Sequence, residues 1–311
     1  MKLLFLGAGA TGGYFGGRLA KAGADVTFLV RPKRRDQLAR DGIKIESADG
    51  DLQTSVKAIT QEEIRTPFDA IIVSAKAYDL DGAIATIRPA VGETSLVLPL
   101  LNGMKHLDAL DTAFGSARVL GGTCHISAML AEDGTIRQFG QLASLTLGPR
   151  FAEQKVGTLK LHEALTIGIE ARYSDTIVAA MWEKWFFLAT FAAATCLMRA
   201  PVGDIVRAAH GAEFMNNLLN ECIAVATVNG YPPQAAAVDF ARTFLLDPES
   251  TLSASMLRDI QRGGRIEADQ IVGDMISRGH ERAIATPLLD MAYLNLLAYQ
   301  NHLAAEGSRG R

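Results

Sequence analysis

Leu3-Leu4-Phe5-Leu6-Gly7-Ala8-Gly9-Ala10-Thr11-Gly12 is the stretch from which the fold can be read. Four unbroken apolar residues have the length of a strand buried on both faces. Three glycines follow in GxGxxG spacing, and a helical pattern runs on from about residue 12 to 22. Each glycine in such a strand–turn–helix unit has its own reason. The first permits the tight turn, the second lets a pyrophosphate approach the backbone at the helix N-terminus, and the third lets the helix pack on the strand. A plain glycine turn is the bland alternative. A P-loop is set aside because no Gly-Lys-Ser/Thr follows. The start also imitates a secretory signal, but glycines interrupt its apolar run after four residues, too short for one.

Outward from this motif the first half alternates. Strands are expected at residues 25–30, 69–74, 95–98, 118–128 and 142–148. Residues 43–47 and 52–56 read as a pair around the turn Ala48-Asp49-Gly50-Asp51. Strands alternating with helices predict a parallel sheet with helices on both faces, an α/β domain of Rossmann type. From about residue 175 the strand signal ends. Helical patterns cover residues 176–198, 211–229, 233–245, 260–278 and 287–303, punctuated by Pro201, Pro232, Pro248 and Pro287. The reading is therefore a dinucleotide-binding domain over residues 1–174 and an all-helical domain over 175–311. The polar tail, residues 306–311, is expected to fray.

Composition sets outer limits. The chain has 311 residues, enough for two domains. Thirty-one basic against 34 acidic residues leave a formal charge of −3, which argues against a nucleic-acid binder working through bulk electrostatics. Cys124, Cys196 and Cys222 are too few and too scattered for a disulfide framework or a zinc site, so no metal and a reducing, cytoplasmic compartment are expected. The uncharged apolar run over residues 185–198 falls short of the ~20 residues that span a bilayer, so it reads as a buried helix.

Three further segments carry chemistry. The second strand runs into Arg31, with Lys33, Arg34 and Arg35 behind it, and no carboxylate stands at its end to hold ribose hydroxyls. A planar guanidinium suits a 2′-phosphate, which favours NADP(H) over NAD(H), a solvated basic loop being the alternative. Lys184 lies in the most apolar helix, Ala180-Met181-Trp182-Glu183-Lys184-Trp185-Phe186-Phe187. A lysine there pairs, snorkels or loses basicity by desolvation, and in the last case becomes a usable general acid. A place on the wet stripe, paired with Glu183, is the alternative. The third segment, residues 253–269, is densely polar and broken by Gly263-Gly264. Taken alone it reads as a loop and a helix start, with Ser255 as a cap and Glu267 on the surface.

Together these elements resemble the ketopantoate reductase (2-dehydropantoate 2-reductase) family along nearly the whole chain. The matching elements, in order, are the Gly7–Gly12 turn, Arg31, Ala75-Lys76-Ala77, Asn102-Gly103-Met104 and Trp182-x-Lys184. Ser255-Met256-Leu257-x-Asp259-Ile260, Gly264-Arg265-x-Glu267-x-Asp269 and Thr286-Pro287 complete the set. The resemblance implies NADPH-dependent reduction of a 2-oxo acid to a 2-hydroxy acid, by default 2-dehydropantoate to pantoate in pantothenate biosynthesis, with substrate between the domains. It implies Lys184 as proton donor. The implied cofactor set is Gly7, Ala8, Gly9, Ala10, Thr11, Gly12, Arg31, Lys76, Asn102, Ser127 and Glu267. Asn102 and Ser255 are expected at the substrate. A homodimer is a further expectation.

One departure concerns the substrate. The family typically carries asparagines four and eight residues after the lysine, and another after the following proline. Here those positions are Leu188, Ala192 and Val202. Thr190, Thr195 or Arg199 are candidate replacements, Arg199 as a carboxylate partner. Otherwise Leu188 and Ala192 make a drier pocket for a different oxo acid or an imine. A non-catalytic NADP(H) sensor is disfavoured because it has no use for a proton donor. A short-chain dehydrogenase is disfavoured because no Tyr-x-x-x-Lys occurs.

Overall fold

The computed structural model describes residues 1–309. By internal contacts the chain forms two compact units. The first holds Met1–Leu101 and His106–Ala180, and the second holds Asn102–Lys105 and Met181–Arg311.

In the first unit the elements run β1 (Lys2–Leu6), α1 (Ala10–Lys21), β2 (Asp25–Leu29), α2 (Pro32–Asp41), β3 (Ile43–Glu46), β4 (Leu52–Thr54), β5 (Lys57–Ile59), β6 (Phe68–Val73), α3 (Leu80–Ile87) and β7 (Val91–Pro99). Then come α4 (Lys105–Phe114), which starts in the second unit, β8 (Gly121–Leu130), β9 (Ile136–Gly148), α5 (Lys155–Thr166) and β10 (Glu170–Tyr173). Five strands make a parallel sheet in the order β5-β2-β1-β6-β7. Taken in chain order, that is third-second-first-fourth-fifth, the doubly wound arrangement. The order reverses beside β1, where a ligand crevice is expected, and the glycine motif leaves β1 at that point. Continuous apolar runs suit strands covered on both faces: Leu3, Phe5, Phe28, Ile72 and Leu98 are all 0% exposed.

The structure corrects part of the strand reading. The later strands do not extend the parallel sheet. They form a second, mixed sheet around β9, which pairs antiparallel with β8 and parallel with β3 and β10, while β4 pairs antiparallel with β3. Helix α2 carries no apolar period because it buries only Leu38, so its sequence Pro-Lys-Arg-Arg-Asp-Gln-Leu-Ala-Arg-Asp passes for a loop.

The second unit continues α6 (Ile177–Met198), which begins in the first, with α7 (Val202–Arg207), α8 (Gly211–Val228), α9 (Ala235–Leu245), α10 (Ser255–Gln261), α11 (Asp274–His280) and α12 (Pro287–Arg309). The single helix expected over 260–278 is two. Gly263 ends α10, with the Gly264 N–H donating to the Asp259 carbonyl at 2.8 Å, and a π turn, Asp269–Gly273, leads into α11. The tail expected to fray from residue 306 is helical to Arg309, and residues 310 and 311 lie outside the described residues. Helix α6 is long and apolar enough to cross a membrane, a description that a core helix also meets. Its Trp185, Phe186, Ala189 and Ala193 are at most 1% exposed.

Candidate active site

In the first unit the glycine turn is built by close approach. Gly7 has φ +89°, a left-handed conformation that a side chain resists, and its N–H donates to the Leu29 carbonyl at 2.8 Å. A Cβ at Gly12 would collide with Ser74 Oγ and lie 2.9 Å from the Gly7 carbonyl. Around Gly9 nothing lies within 4 Å of such a Cβ. Gly9 is also the N-cap of α1 and, having no side chain, makes no capping bond to the first N–H groups of that helix. Open room, uncapped donors and a helix N-terminus together fit the pyrophosphate of a dinucleotide. Ala8, Ala10 and Thr11 complete the turn, and Ala8 is buried.

The basic cluster after β2 divides in two. Arg34 reaches back into the fold: Nη2 donates to the Ala8 carbonyl at 2.9 Å, both Nη atoms donate to the Gly134 carbonyl at 3.2 Å, and Nη1 donates to Gln37 Oε1 at 2.7 Å. Burial holds its pKa below the ordinary arginine value. Arg35 pairs with Glu63 at 3.0 Å and with Asp36 at 3.1 Å. Arg34 is thus held by backbone carbonyls and Arg35 by carboxylates. Arg31 is exposed at the N-cap of α2 and makes no side-chain capping bond. Lys76 is exposed two residues beyond Ser74, whose hydroxyl donates to the Leu6 carbonyl at 3.2 Å. Ser127 is exposed on β8 where the pairing with β9 shifts register.

The second unit brings Lys184 and Asn102 together across 82 residues, the Lys184 ammonium donating to Asn102 Oδ1 at 3.0 Å. Both ends of this pair are tied to the π turn. Gln270 Nε2 donates to the Asn102 carbonyl at 2.8 Å, and Trp185 Nε1, next to Lys184, donates to the Ile271 carbonyl at 2.9 Å. A π turn departs from the regular i→i−4 ladder and often sits at functional sites. Gly103 lies so close to the Gln270 carbonyl that a side chain there would collide with it. Gln270 and the π turn escape sequence reading because their partner lies 168 residues away and no local spacing announces it. Glu267, expected on the surface by local reading, is buried just ahead of that turn, 8% exposed.

Other expected residues are placed differently. Ser255 does not cap α10; Ala254 is the N-cap and Ser255 is the exposed first residue. Thr190 and Thr195 are 0% exposed and donate to the Phe186 and Phe191 carbonyls of their own helix at 2.8 and 2.7 Å, so neither replaces a missing amide. Arg199, with φ 54°, is exposed and donates to the Cys196 carbonyl. Leu188 is half-buried, whereas Ala192 and Val202 are 0% exposed. Burial pushes the Cys196 and Cys222 thiols up to about 12, so both are inert at neutral pH.

A glycine turn at the switch point of a doubly wound sheet, with a lysine–asparagine pair on a following helical unit, defines a dinucleotide-dependent oxidoreductase. Two family models described as "Ketopantoate reductase PanE/ApbA" and its C-terminal part match residues 3–150 and 176–300. An uncharacterized oxidoreductase, YkpB, of Bacillus subtilis (strain 168) is 33% identical over 301 residues, covering 96% of this chain and 99% of the relative. The crystal structure of 2-dehydropantoate 2-reductase from Geobacter metallireducens GS-15 superposes with a TM-score of 0.87 at 28% identity, over 96% of this chain and 99% of that one. The ternary structure of D-mandelate dehydrogenase with NADH and anilino(oxo)acetate gives the same TM-score at 23% identity, over 98% and 100%, a likeness that speaks for the fold alone. The chain belongs to the ketopantoate reductase family, oxidoreductases that use NADPH.

Proposed function

We propose that the protein reduces a 2-oxo acid to the corresponding 2-hydroxy acid with NADPH, and that Lys184 is the proton donor. The observation that carries this reading is the 3.0 Å bond from Lys184 to Asn102. NADPH, when bound, supplies the hydride. The chain's own task is to hold the acid and to place positive charge where the ketone oxygen becomes an alkoxide. An ammonium has three N–H bonds, and by taking one of them Asn102 fixes the direction of the others. As the ketone carbon accepts hydride, a proton passes from Lys184 Nζ to the oxygen, and Lys184 recovers one from water. In this reading Ser255 hydrogen-bonds the substrate, Lys76 and Ser127 line the cofactor, and Glu267 orders the site.

Arg31 selects the 2′-phosphate in the same reading. The domains divide the work at about residue 175, cofactor before it and proton donor after it. The reference acid is 2-dehydropantoate, named in the Geobacter relative. The enzyme is read as cytoplasmic and as a homodimer through the apolar helices of its second unit.

The test follows NADPH absorbance with a panel of 2-oxo acids. Lys184→Ala is expected to lower kcat by about 10²–10⁴-fold, the usual worth of general acid catalysis, while NADPH still binds. Near-normal turnover in that variant would remove Lys184 from the role.

A further inference from the structure

The surroundings of Lys184 say more about the acid than about the hydride. Residues three, four and seven places along a helix share a face, and after Lys184 these are Phe187, Leu188 and Phe191. Helix α9 lies beside them. The Gln234 N–H at its start donates to Glu183 Oε1 at 3.1 Å, and its Phe240 and Phe244 pack on the α6 rings. Phe244 meets Phe187 and Phe191 edge-on at 5.0 and 5.4 Å, and Phe187 stacks on Phe191 at 6.0 Å. This is not closed core. Phe240 is 60% exposed, and the other three rings are half-buried. The opposite face of α6 is sealed by comparison, with Trp185 and Phe186 at most 1% exposed.

The far end of the same face is bounded as well. Thr195 Oγ1 accepts a hydrogen bond from the Ala254 N–H at 3.3 Å, which brings the start of α10 against α6, eleven residues and about 16 Å beyond Lys184. The Val202 N–H donates to the Leu252 carbonyl at 3.0 Å, and Leu252 is 51% exposed. Between Lys184 and Thr195 this face offers Phe187, Leu188 and Phe191, none of which can hydrogen-bond through its side chain. The hydroxyls of Thr190 and Thr195 are turned back onto their own helix.

We infer that Phe187, Leu188, Phe191 and Phe244 form the wall that receives the substrate's side chain, and that the preferred substrates are 2-oxo acids with an apolar, hydroxyl-free side chain, aryl or branched alkyl. The inference rests on the reductase reading above and names its substrate class. A site built to bond a hydroxyl rejects the analogue lacking it by ~10⁴-fold or more, whereas an apolar wall discriminates against the added hydroxyl only modestly. A further ring packs against such rings edge-on or offset, at centroid distances of about 4.5–7 Å.

Three acids decide it, each with saturating NADPH: 2-dehydropantoate, 3,3-dimethyl-2-oxobutanoate, which differs only in lacking the terminal hydroxyl, and benzoylformate. The expected kcat/KM is about 10–100-fold higher for the deoxy acid than for 2-dehydropantoate, with benzoylformate at least its equal. A preference for 2-dehydropantoate over the deoxy acid overturns the inference and leaves the reductase reading standing. No turnover of any acid by protein that binds NADPH overturns the reductase reading itself. Leu188→Asn should narrow the ratio by improving 2-dehydropantoate, and an unchanged ratio counts against the wall. Phe191→Ala should raise KM for benzoylformate about tenfold while leaving pyruvate nearly untouched, and Phe191→Leu should recover part of the loss. Equal losses for both acids in Phe191→Ala also count against it. The wild-type series decides the matter even where a variant fails to fold.

Discussion

Gly9 and Gly12 look alike in sequence and have different physical roles. A methyl at Gly12 drives into Ser74 and the Gly7 carbonyl, so Gly12→Ala is expected to cost about 1–3 kcal/mol of stability through overpacking. A methyl at Gly9 meets nothing of the protein and, in the proposed reading, occupies the room left for the pyrophosphate. Gly9→Ala should therefore melt like the parent while its NADPH affinity falls at least roughly tenfold, since the backbone can no longer approach the phosphates. Thermal melts and fluorescence titrations read the two effects separately, and a Gly9 variant that binds normally would detach the turn from the cofactor. Motif spacing made both glycines legible. It also pointed to Lys184 and Asn102 individually through the family resemblance. Their bond was not legible, because a pairing across 82 residues leaves no local period, and Gln270 had no signal at all.

Helix α2 shows the same limit at the next scale. Four basic residues in five positions are interchangeable in one dimension. Folding gives Arg34 to the Ala8 and Gly134 carbonyls and Arg35 to Glu63, and leaves Arg31 exposed at the helix start. Two substitutions should therefore behave differently. Arg31→Ala weakens NADPH binding by at least about tenfold with little effect on NADH, as loss of a guanidinium–phosphate pair requires. Arg34→Ala weakens both cofactors alike and lowers stability by about 2 kcal/mol, because it unties the glycine turn from the β8–β9 hairpin. Parallel titrations with the two nucleotides distinguish them, and equal losses in the Arg31 variant would sink the 2′-phosphate assignment. Apolar runs found four of the five strands of the parallel sheet and missed β5, a three-residue edge strand. It misjudged the segment after Ser255, where Gly263 breaks one expected helix into two.

For the whole molecule, the alternation of strands and helices was enough to read a doubly wound sheet followed by helices. The second sheet around β9 was not readable, since a strand's partner is set by topology and its own side chains are compatible with either sheet. With the glycine turn of the first unit as the proposed cofactor site, NADPH at about 100 times its Kd should stabilise that unit by about 2.7 kcal/mol. The corresponding rise in Tm is roughly 5–10 °C. Scanning calorimetry with NADPH and with NADH at equal concentration reads the shift, and the absence of any NADPH shift would count against the glycine turn as its site.

The grouping of Asn102–Lys105 with the second unit has a consequence for how such an enzyme can be recombined. Cutting the chain once, near residue 180, does not yield two whole modules. It leaves Asn102 on one piece and Lys184 on the other. A chimera that takes its C-terminal half from a relative inherits a foreign lysine, a foreign π turn and the original asparagine. Shuffling the halves therefore tests the fit of this pair first, and new specificity travels intact only when the four-residue graft is exchanged along with the helices.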